Sequence, residues 1–381
     1  MSMDDLLRWR HDLHRIPELG FQERETSAYV RSVLEQLGLD VVSRAETGLV
    51  AEIAGNGRGP VIAVRADMDG LPLQEESGEA FASRHDGVMH ACGHDVHMTA
   101  VLGMAARLAA EPDFPGTVRL LFQPSEEGNR SGAKALMDDG ALADVDGIIG
   151  LHVWAPVPVG TVVMRAGAFM ANTDGFEITV HGRGGHGSEP ETAKDAVLIG
   201  SQIVVNLQTI VSRHVSPLDS CVVSVGTFDA GSASNILAET AHLTGTVRTF
   251  SGSVQDQVER DIAKMANHTA ALHGATVDVV YHRGVPAVIN HPAVIQSWRQ
   301  VLTGMVTVQE SGPYMGGEDF AYYLRAVPGA FIFLGGRPDG EQFPHHSPHF
   351  RVSDACLPIG VEVLERGART LSAHPEVLRQ A

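Results

Sequence analysis

The segment His90-Ala91-Cys92-Gly93-His94-Asp95-Val96-His97 concentrates a thiol, three imidazoles and a carboxylate within a few residues. Thiolate, imidazole and carboxylate together suit Zn, Mn, Co or Ni, whereas Mg and Ca are held by oxygen. Acidic pairs stand on either side: Asp67 and Asp69 before it, and Glu126 and Glu127 in Pro124-Ser125-Glu126-Glu127-Gly128 after it. Neighbouring side chains on an extended or turning backbone point in different directions, so one glutamate can bind metal while the other moves protons. His152 and the run Phe343-Pro344-His345-His346-Ser347-Pro348-His349 add further imidazoles. Each motif alone has a plainer meaning: Cys is usually core, Glu-Glu is usually a charged surface turn, and a His-rich run can be an exposed loop.

The elements that must carry these residues argue for the chemical meaning. Asp67 and Asp69 follow the apolar run Val61 to Val64, Glu126 and Glu127 follow Thr117 to Phe122, and His152 directly follows Gly147 to Leu151. Ligands of open α/β sheets sit beyond the carboxyl ends of the strands, so these residues converge on one crevice. Helical spacing joins Tyr29, Val30, Val33, Leu34 and Leu37, and a helix pattern runs from Val96 to Ala110. Helix and buried strand in alternation predict an α/β/α domain with a mostly parallel sheet.

From about Asp174 the order becomes strand Phe176 to Val180, helix Asp195 to Ser212, strands Cys221 to Thr227 and Thr240 to Phe250, helix Val254 to His273 and strand Thr276 to His282. That β-α-β-β-α-β order is ferredoxin-like. A helix-rich stretch from His291, a strand Ala330 to Leu334 and a last helix from about Asp354 to Ser372 return to the first domain. The expectation is a discontinuous catalytic domain of residues 1–173 and 285–381, with an inserted α+β lid and dimerisation domain of residues 174–284.

Length agrees, since 381 residues exceed what one hydrophobic core usually serves. With 28 Lys and Arg against 46 Asp and Glu, the formal net charge of -18 repels polyphosphate backbones and excludes nucleic acid as a partner. An anionic substrate therefore needs local capture by Arg, Asn or metal. No apolar run reaches the ~18 residues of a membrane span, and Met1 to Arg10 is polar where a signal peptide is apolar. Cys92, Cys221 and Cys356 are too few and odd in number for a disulfide framework, so the expected compartment is the reducing cytoplasm.

Assembled in order, the motifs resemble the M20 family of metallopeptidases, in the amidohydrolase branch that includes hippurate hydrolases, N-acyl-amino-acid amidohydrolases and auxin-conjugate hydrolases. The resemblance rests on Arg65-Ala66-Asp67-Met68-Asp69-Gly70-Leu71-Pro72, Met89-His90-Ala91-Cys92-Gly93-His94-Asp95, Gln123-Pro124-Ser125-Glu126-Glu127-Gly128 and Leu151-His152-Val153. It continues through Gly184-Gly185-His186, Gly245-Thr246-Val247-Arg248-Thr249-Phe250, Gly317-Glu318-Asp319-Phe320 and His346-Ser347-Pro348-His349-Phe350. By that resemblance, Cys92, His94, Glu127, His152 and His346 hold two divalent ions, with Cys92 where relatives outside this branch use a bridging Asp. Glu126 is implied as general base and acid, and Asp69 as the residue that orients a metal ligand.

The resemblance also implies that His186 stabilises the oxyanion from the lid of a partner subunit, with Asn235 and Arg248 near the substrate carboxylate. A homodimer, or a tetramer built on it, and a domain closure follow. The substrate class implied is a small N-acyl amino acid, with carboxypeptidase-like cleavage of dipeptides as the alternative activity and Phe81, Met170, Tyr314 and Met315 as candidates to shape the pocket. One departure stands out: Gly187-Ser188-Glu189-Pro190 places an acid close to His186 where the family commonly has small residues and then Met-Pro. Two other classes compete. Cys92 as a thioester-forming nucleophile, with His94 or His97 as base, conflicts with a metal-bound thiolate, and a non-catalytic binder has no reason to keep Glu126.

Overall fold

The computed structural model describes residues 1–379. The chain runs through α1 (Met3–His14), α2 (Arg24–Gln36), β1 (Val41–Arg44), β2 (Gly48–Ala54), β3 (Val61–Asp67), α3 (His94–Ala110), β4 (Thr117–Gln123), α4 (Gly132–Asp138), β5 (Gly147–Trp154), β6 (Thr161–Val163) and β7 (Gly167–Met170). It continues as β8 (Asn172–His181), β9 (Gly185–His186), α5 (Ala196–Thr209), β10 (Cys221–Ala230), β11 (Ile236–Leu237), β12 (Thr240–Thr249), α6 (Gly252–Leu272) and β13 (Thr276–Val285). The last elements are β14 (Val288–Asn290), α7 (Pro292–Leu302), β15 (Thr307–Gln309), α8 (Ala321–Ala326), β16 (Gly329–Gly335) and α9 (Leu357–Ala373).

Two compact units result. The first combines Met1–Phe169, Ile289–Gly312 and the chain from Asp319 onward. Its sheet has the order β1-β2-β4-β3-β5-β16-β6-β15. The central pairs β4·β3, β3·β5 and β5·β16 are parallel, whereas β1·β2, β2·β4 and β16·β6 are antiparallel. Ile62, Val64, Ile149, Leu151, Ile332 and Leu334 of the central strands join Val101 and Leu102 of α3 and Val361 and Leu364 of α9 in one core. Each such side chain contributes about 1.5–3 kcal/mol by leaving water. Gly103 lets α3 approach α9 closely, since a Cβ there would stand 2.4 Å from Val361 Cγ2.

The second unit combines Met170–Val288 with Pro313–Glu318. Its four strands, in the order β10-β12-β8-β13, are antiparallel throughout. Alternation along β8 buries Phe176, Ile178 and Val180 and turns Glu177, Thr179 and His181 outward. The buried set packs with Ile199, Ile203 and Leu207 of α5 and Val258 and Ile262 of α6. The two-strand ribbon β9·β11 lies beside this sheet.

Several details depart from the sequence reading. The polar helix α1 was not foreseen, although Leu6, Trp9 and Leu13 supply a buried stripe. His152 lies inside β5 rather than after it, because pairing with β16 runs on to Gly335↔Trp154. The second unit takes in Pro313–Glu318, outside the expected 174–284, where Tyr314 bridges Met170 and Gly317 lies so close to Thr173 that a Cβ would come within 2.4 Å. Ala196–His214 is also long and apolar enough by composition to cross a membrane, with 33% of that window buried.

Candidate metal centre

Strand ends and sharp turns gather the polar clusters in the first unit. Asp67 closes β3, and Asp69 follows two residues later. Both Asp69 carboxylate oxygens accept backbone N–H groups of the glutamate pair, Oδ1 from Glu126 and Oδ2 from Glu127, each at 3.0 Å. Ser125 before them adopts φ 47°, a left-handed turn that a non-glycine residue adopts only under outside constraint. That constraint is visible: the Ser125 N–H donates to buried Glu23 at 2.8 Å, and its hydroxyl donates to the Arg130 carbonyl at 2.8 Å. Asp69 thus shapes the Glu126–Glu127 turn with its side chain and holds His94 with its backbone, since His94 Nδ1 donates to the Asp69 carbonyl at 2.8 Å.

The five expected ligands come together. Single donor atoms of Cys92, His94 and His152 lie within 4.8 Å of one another, and so do those of Cys92, Glu127 and His346. Cys92 belongs to both trios, and a third group, His94 with Glu126 and Glu127, brings in the second glutamate. Cys92 Sγ is 3.3 Å from His152 Nε2, and His346 Nε2 is 3.0 Å from Glu127 Oε1. His346 has φ 64°, and its N–H donates to the Ala91 carbonyl at 2.9 Å, which ties this late segment to the turn that carries Cys92. His152 Nδ1 donates to the Val153 carbonyl at 2.7 Å, so its Nε2 keeps the lone pair.

The donor set fits divalent cations. His94 Nε2 and Glu127 Oε1 are buried without a hydrogen-bond partner, His346 standing near the latter but off hydrogen-bond alignment. Burial opposes charge on His94, yet Asp67, Asp69 and Glu127 outweigh it and raise its pKa to about 10. Burial likewise works against the Glu127 carboxylate, but His346 and His94 hold it below the usual range. Burial pushes the Cys92 thiol well up, and Glu127 and Glu126 add to that. Burial, with His97 and His345 adding, keeps His152 neutral. A pocket that demands positive charge while leaving two donors orphaned is one in which cations satisfy the orphans and convert the thiol to thiolate.

His186, Asn235 and Arg248 lie in the second unit. Within the ribbon His186 pairs with Ile236, and the Gly187 N–H donates to the Asn235 carbonyl at 2.8 Å, so His186 and Asn235 sit side by side. His186 is exposed. Its Nδ1 accepts the Ser188 N–H at 3.2 Å and lies 2.7 Å from the Ser188 hydroxyl, so the neutral ring carries its proton on Nε2. Ser188, rather than Glu189, supplies the side-chain contact to the ring. Arg248 is half-buried on β12 and donates through Nη1 to the Thr246 hydroxyl and the Val247 carbonyl. Phe81 is not free to line a pocket as expected: it stacks on His11 at 3.7 Å and meets His14 edge-on.

Sequence reasoning gave Asp67 and Arg65 no role, and His97 only that of an alternative base for a Cys92 nucleophile. All three are buried: Arg65 donates to Asp67 at 2.5 Å, to Gln123 at 2.8 Å and to Asp319 at 3.1 Å, and His97 Nδ1 lies 2.6 Å from Asp67 Oδ1. The available signal was an Arg two residues before an Asp at a strand end, a spacing that turns both to one face.

Comparison with known proteins agrees with this geometry. The pattern described as peptidase family M20/M25/M40 matches residues 63–370. N-acetyl-L-cysteine deacetylase of Bacillus subtilis is 39% identical over 375 residues, covering 97% of this chain and 89% of that protein. Thermostable carboxypeptidase 2 of Saccharolobus solfataricus is 36% identical over 364 residues, covering 94% and 93%. Among solved structures, the YXEP protein of Bacillus subtilis, described as a dinuclear metal binding peptidase of the M20 family, superposes with a TM-score of 0.87 at 33% identity, covering 97% of this chain and 98% of that one. The chain belongs to the M20/M25/M40 peptidase family, in its amidohydrolase branch, and is a hydrolase of amide bonds.

Proposed function

We propose that the chain hydrolyses the amide of small N-acyl amino acids, releasing a carboxylic acid and a free amino acid. The observation that carries this reading is the pair of donor trios sharing Cys92, with Glu126 beside the ligand Glu127. Cys92, His94 and His152 would hold one ion and Cys92, Glu127 and His346 the other, as Mn, Zn, Co or Ni. Bound there, two divalent cations supply Lewis acidity toward an amide carbonyl and toward water. Glu126 takes the proton of the attacking water and delivers it to the departing amine nitrogen, so no covalent intermediate is needed. Asp69 holds the turn that presents the two glutamates through its paired hydrogen bonds to their backbone N–H groups.

Arg248 supports a substrate carboxylate, because both its hydrogen bonds run through Nη1 and its Nε–Nη2 edge has no partner among the described residues. Asn235 is assigned beside it. His186, with its proton on Nε2, suits an oxyanion donor, and we assign that role to the partner subunit's His186. A homodimer is supported by α5, whose Val197, Leu198 and Val205 are exposed apolar side chains on a helix buried on its other side. Three free cysteines favour a cytoplasmic setting. Cleavage of dipeptides is the second reading, favoured by the likeness to a carboxypeptidase.

The test is release of free amino acid from N-acetyl, N-benzoyl and dipeptide substrates by metal-stripped protein, with and without added Mn, Co, Ni or Zn. Restoration by metal is expected. Glu126→Gln should lower kcat by about 10²–10⁴-fold while metal content stays at that of the wild type. Chelator-resistant turnover, or full turnover by Glu126→Gln, overturns the reading.

A further inference from the structure

The backbone of Val153 is a junction among three imidazoles. Its N–H donates to His97 Nε2 at 2.8 Å. Its carbonyl accepts from His152 Nδ1 at 2.7 Å and from His345 Nε2 at 3.1 Å. A backbone N–H only donates, so His97 Nε2 holds a lone pair and the ring proton sits on Nδ1, aimed at Asp67 Oδ1 2.6 Å away. The His97 and His152 rings meet at 4.5 Å and 67°. His97 is 1% exposed and lies one turn along α3 from His94.

Donor atoms of Asp67, His94 and His97 also fall within 4.8 Å of one another, which by composition resembles a third cation site. The hydrogen bonds argue against that use. Both His97 nitrogens are engaged, and Asp67 receives Arg65 as well, so the trio has no ligand atom to spare on His97. What the trio does provide is a chain of fixed donors and acceptors from Arg65 through Asp67 and His97 to the backbone that carries His152. A second oxygen of Asp67 stands 3.7 Å from His94 Nε2, so the same carboxylate faces another member of the centre.

We propose that His97 is a positioning residue for the metal centre: by gripping the Val153 N–H while anchored on Asp67, it fixes the backbone of Val153, the residue whose carbonyl sets the tautomer and aim of His152. This rests on the proposed metal reading. It predicts that affinity and thiolate–metal geometry depend on a side chain that never touches an ion, and removing such outer partners typically lowers affinity 10–100-fold.

Two substitutions separate positioning from bulk. In His97→Gln the amide oxygen reaches where Nε2 stood and still accepts the Val153 N–H. In His97→Asn the shorter amide reaches only the Nδ1 position, so the Asp67 contact survives and the Val153 N–H loses its acceptor. Each variant is loaded with Co(II), and the thiolate-to-cobalt charge-transfer band, the d–d spectrum and the affinity against a competing chelator are read. The expected result is a shifted spectrum and about 10–100-fold weaker binding in His97→Asn, with His97→Gln within a few-fold of wild type.

A merely structural role would lower the melting temperature of both apoproteins and leave the spectrum unmoved. A wild-type spectrum and affinity in His97→Asn, or equal losses in both variants, overturns this inference alone. If His97→Asn fails to fold, His97→Gln still decides, because loss of the band there contradicts the proposal. A wild-type protein with no charge-transfer band overturns the metal reading itself, and this inference with it.

Discussion

Gly93 stands between two proposed ligands, and its replacement by Ala tests how tightly the centre is framed. It adopts φ 88° at the start of α3, and a Cβ there would lie 2.3 Å from Val153 Cγ1. The left-handed conformation costs an L residue about 1–2 kcal/mol. Carbon atoms prefer about 3.5–4.0 Å, so the contact must open by more than about 1 Å, an overpacking that costs about 1–3 kcal/mol. Gly93→Ala should therefore destabilise by about 2–5 kcal/mol, a fall of about 4–20 °C in Tm. Cys92 and His94 are its chain neighbours, so the same displacement should weaken metal binding at least about tenfold. Thermal denaturation of the apoprotein and chelator competition read the two effects. Combining Gly93→Ala with Val153→Ala should recover the steric part, leaving the double variant about 1–3 kcal/mol more stable than the sum of the single losses predicts. A Gly93→Ala protein that melts within about 1 °C of wild type and binds metal unchanged would refute the reasoning.

Two further outcomes follow from other parts of the molecule. Burial opposes charge on His14, yet Asp95 at 2.9 Å, with Glu75 at 3.2 Å, raises its pKa to about 9. Because the folded value lies above the ordinary one near 6.5, the stabilisation, about 3 kcal/mol at most, is complete below about pH 6.5 and is lost as pH rises through about 9. Melting of metal-free protein from pH 6 to pH 10 should show that decline, and His14→Asn should flatten it; parallel curves contradict the assignment. On α5, Val205 is 68% exposed, so Val205→Asp should convert the proposed dimer to monomer by light scattering, and a monomeric wild type would remove the dimer from the proposal.

The metal centre was legible because its residues follow apolar runs that read as strands. Val61 to Val64, Thr117 to Phe122 and Gly147 to Leu151 each became a central strand of the large sheet, and the polar residue types around them limited the chemistry. The period-two pattern of Phe176, Ile178 and Val180 likewise reads directly as a half-buried strand. Register was not legible. That β5 continues through His152 depends on pairing with β16, a partner far along the chain. The network of Arg10, Asp95, His14 and Glu75 was hidden for the same reason: α1 looks like a polar surface helix until its Arg10 and His14 are seen buried against Asp95. Phe81 was misplaced because a lone aromatic says nothing about which ring it stacks on. Asp67 and His97 were visible as residues, but their roles are set by one backbone N–H, which no side-chain pattern reports.

The pairing of β16 with β5 also carries a consequence for synthesis. His346 follows His152 by 194 residues, and the whole of the second unit, with its own core, lies between them. At bacterial-to-eukaryotic elongation rates of about 5–20 residues per second, the ribosome needs about 10–40 s to cover that interval. Four of the five proposed ligands thus wait in the nascent chain without β16 to brace β5 and without the imidazole that completes the trio with Glu127. Metal captured during translation would meet a site that still lacks one proposed ligand.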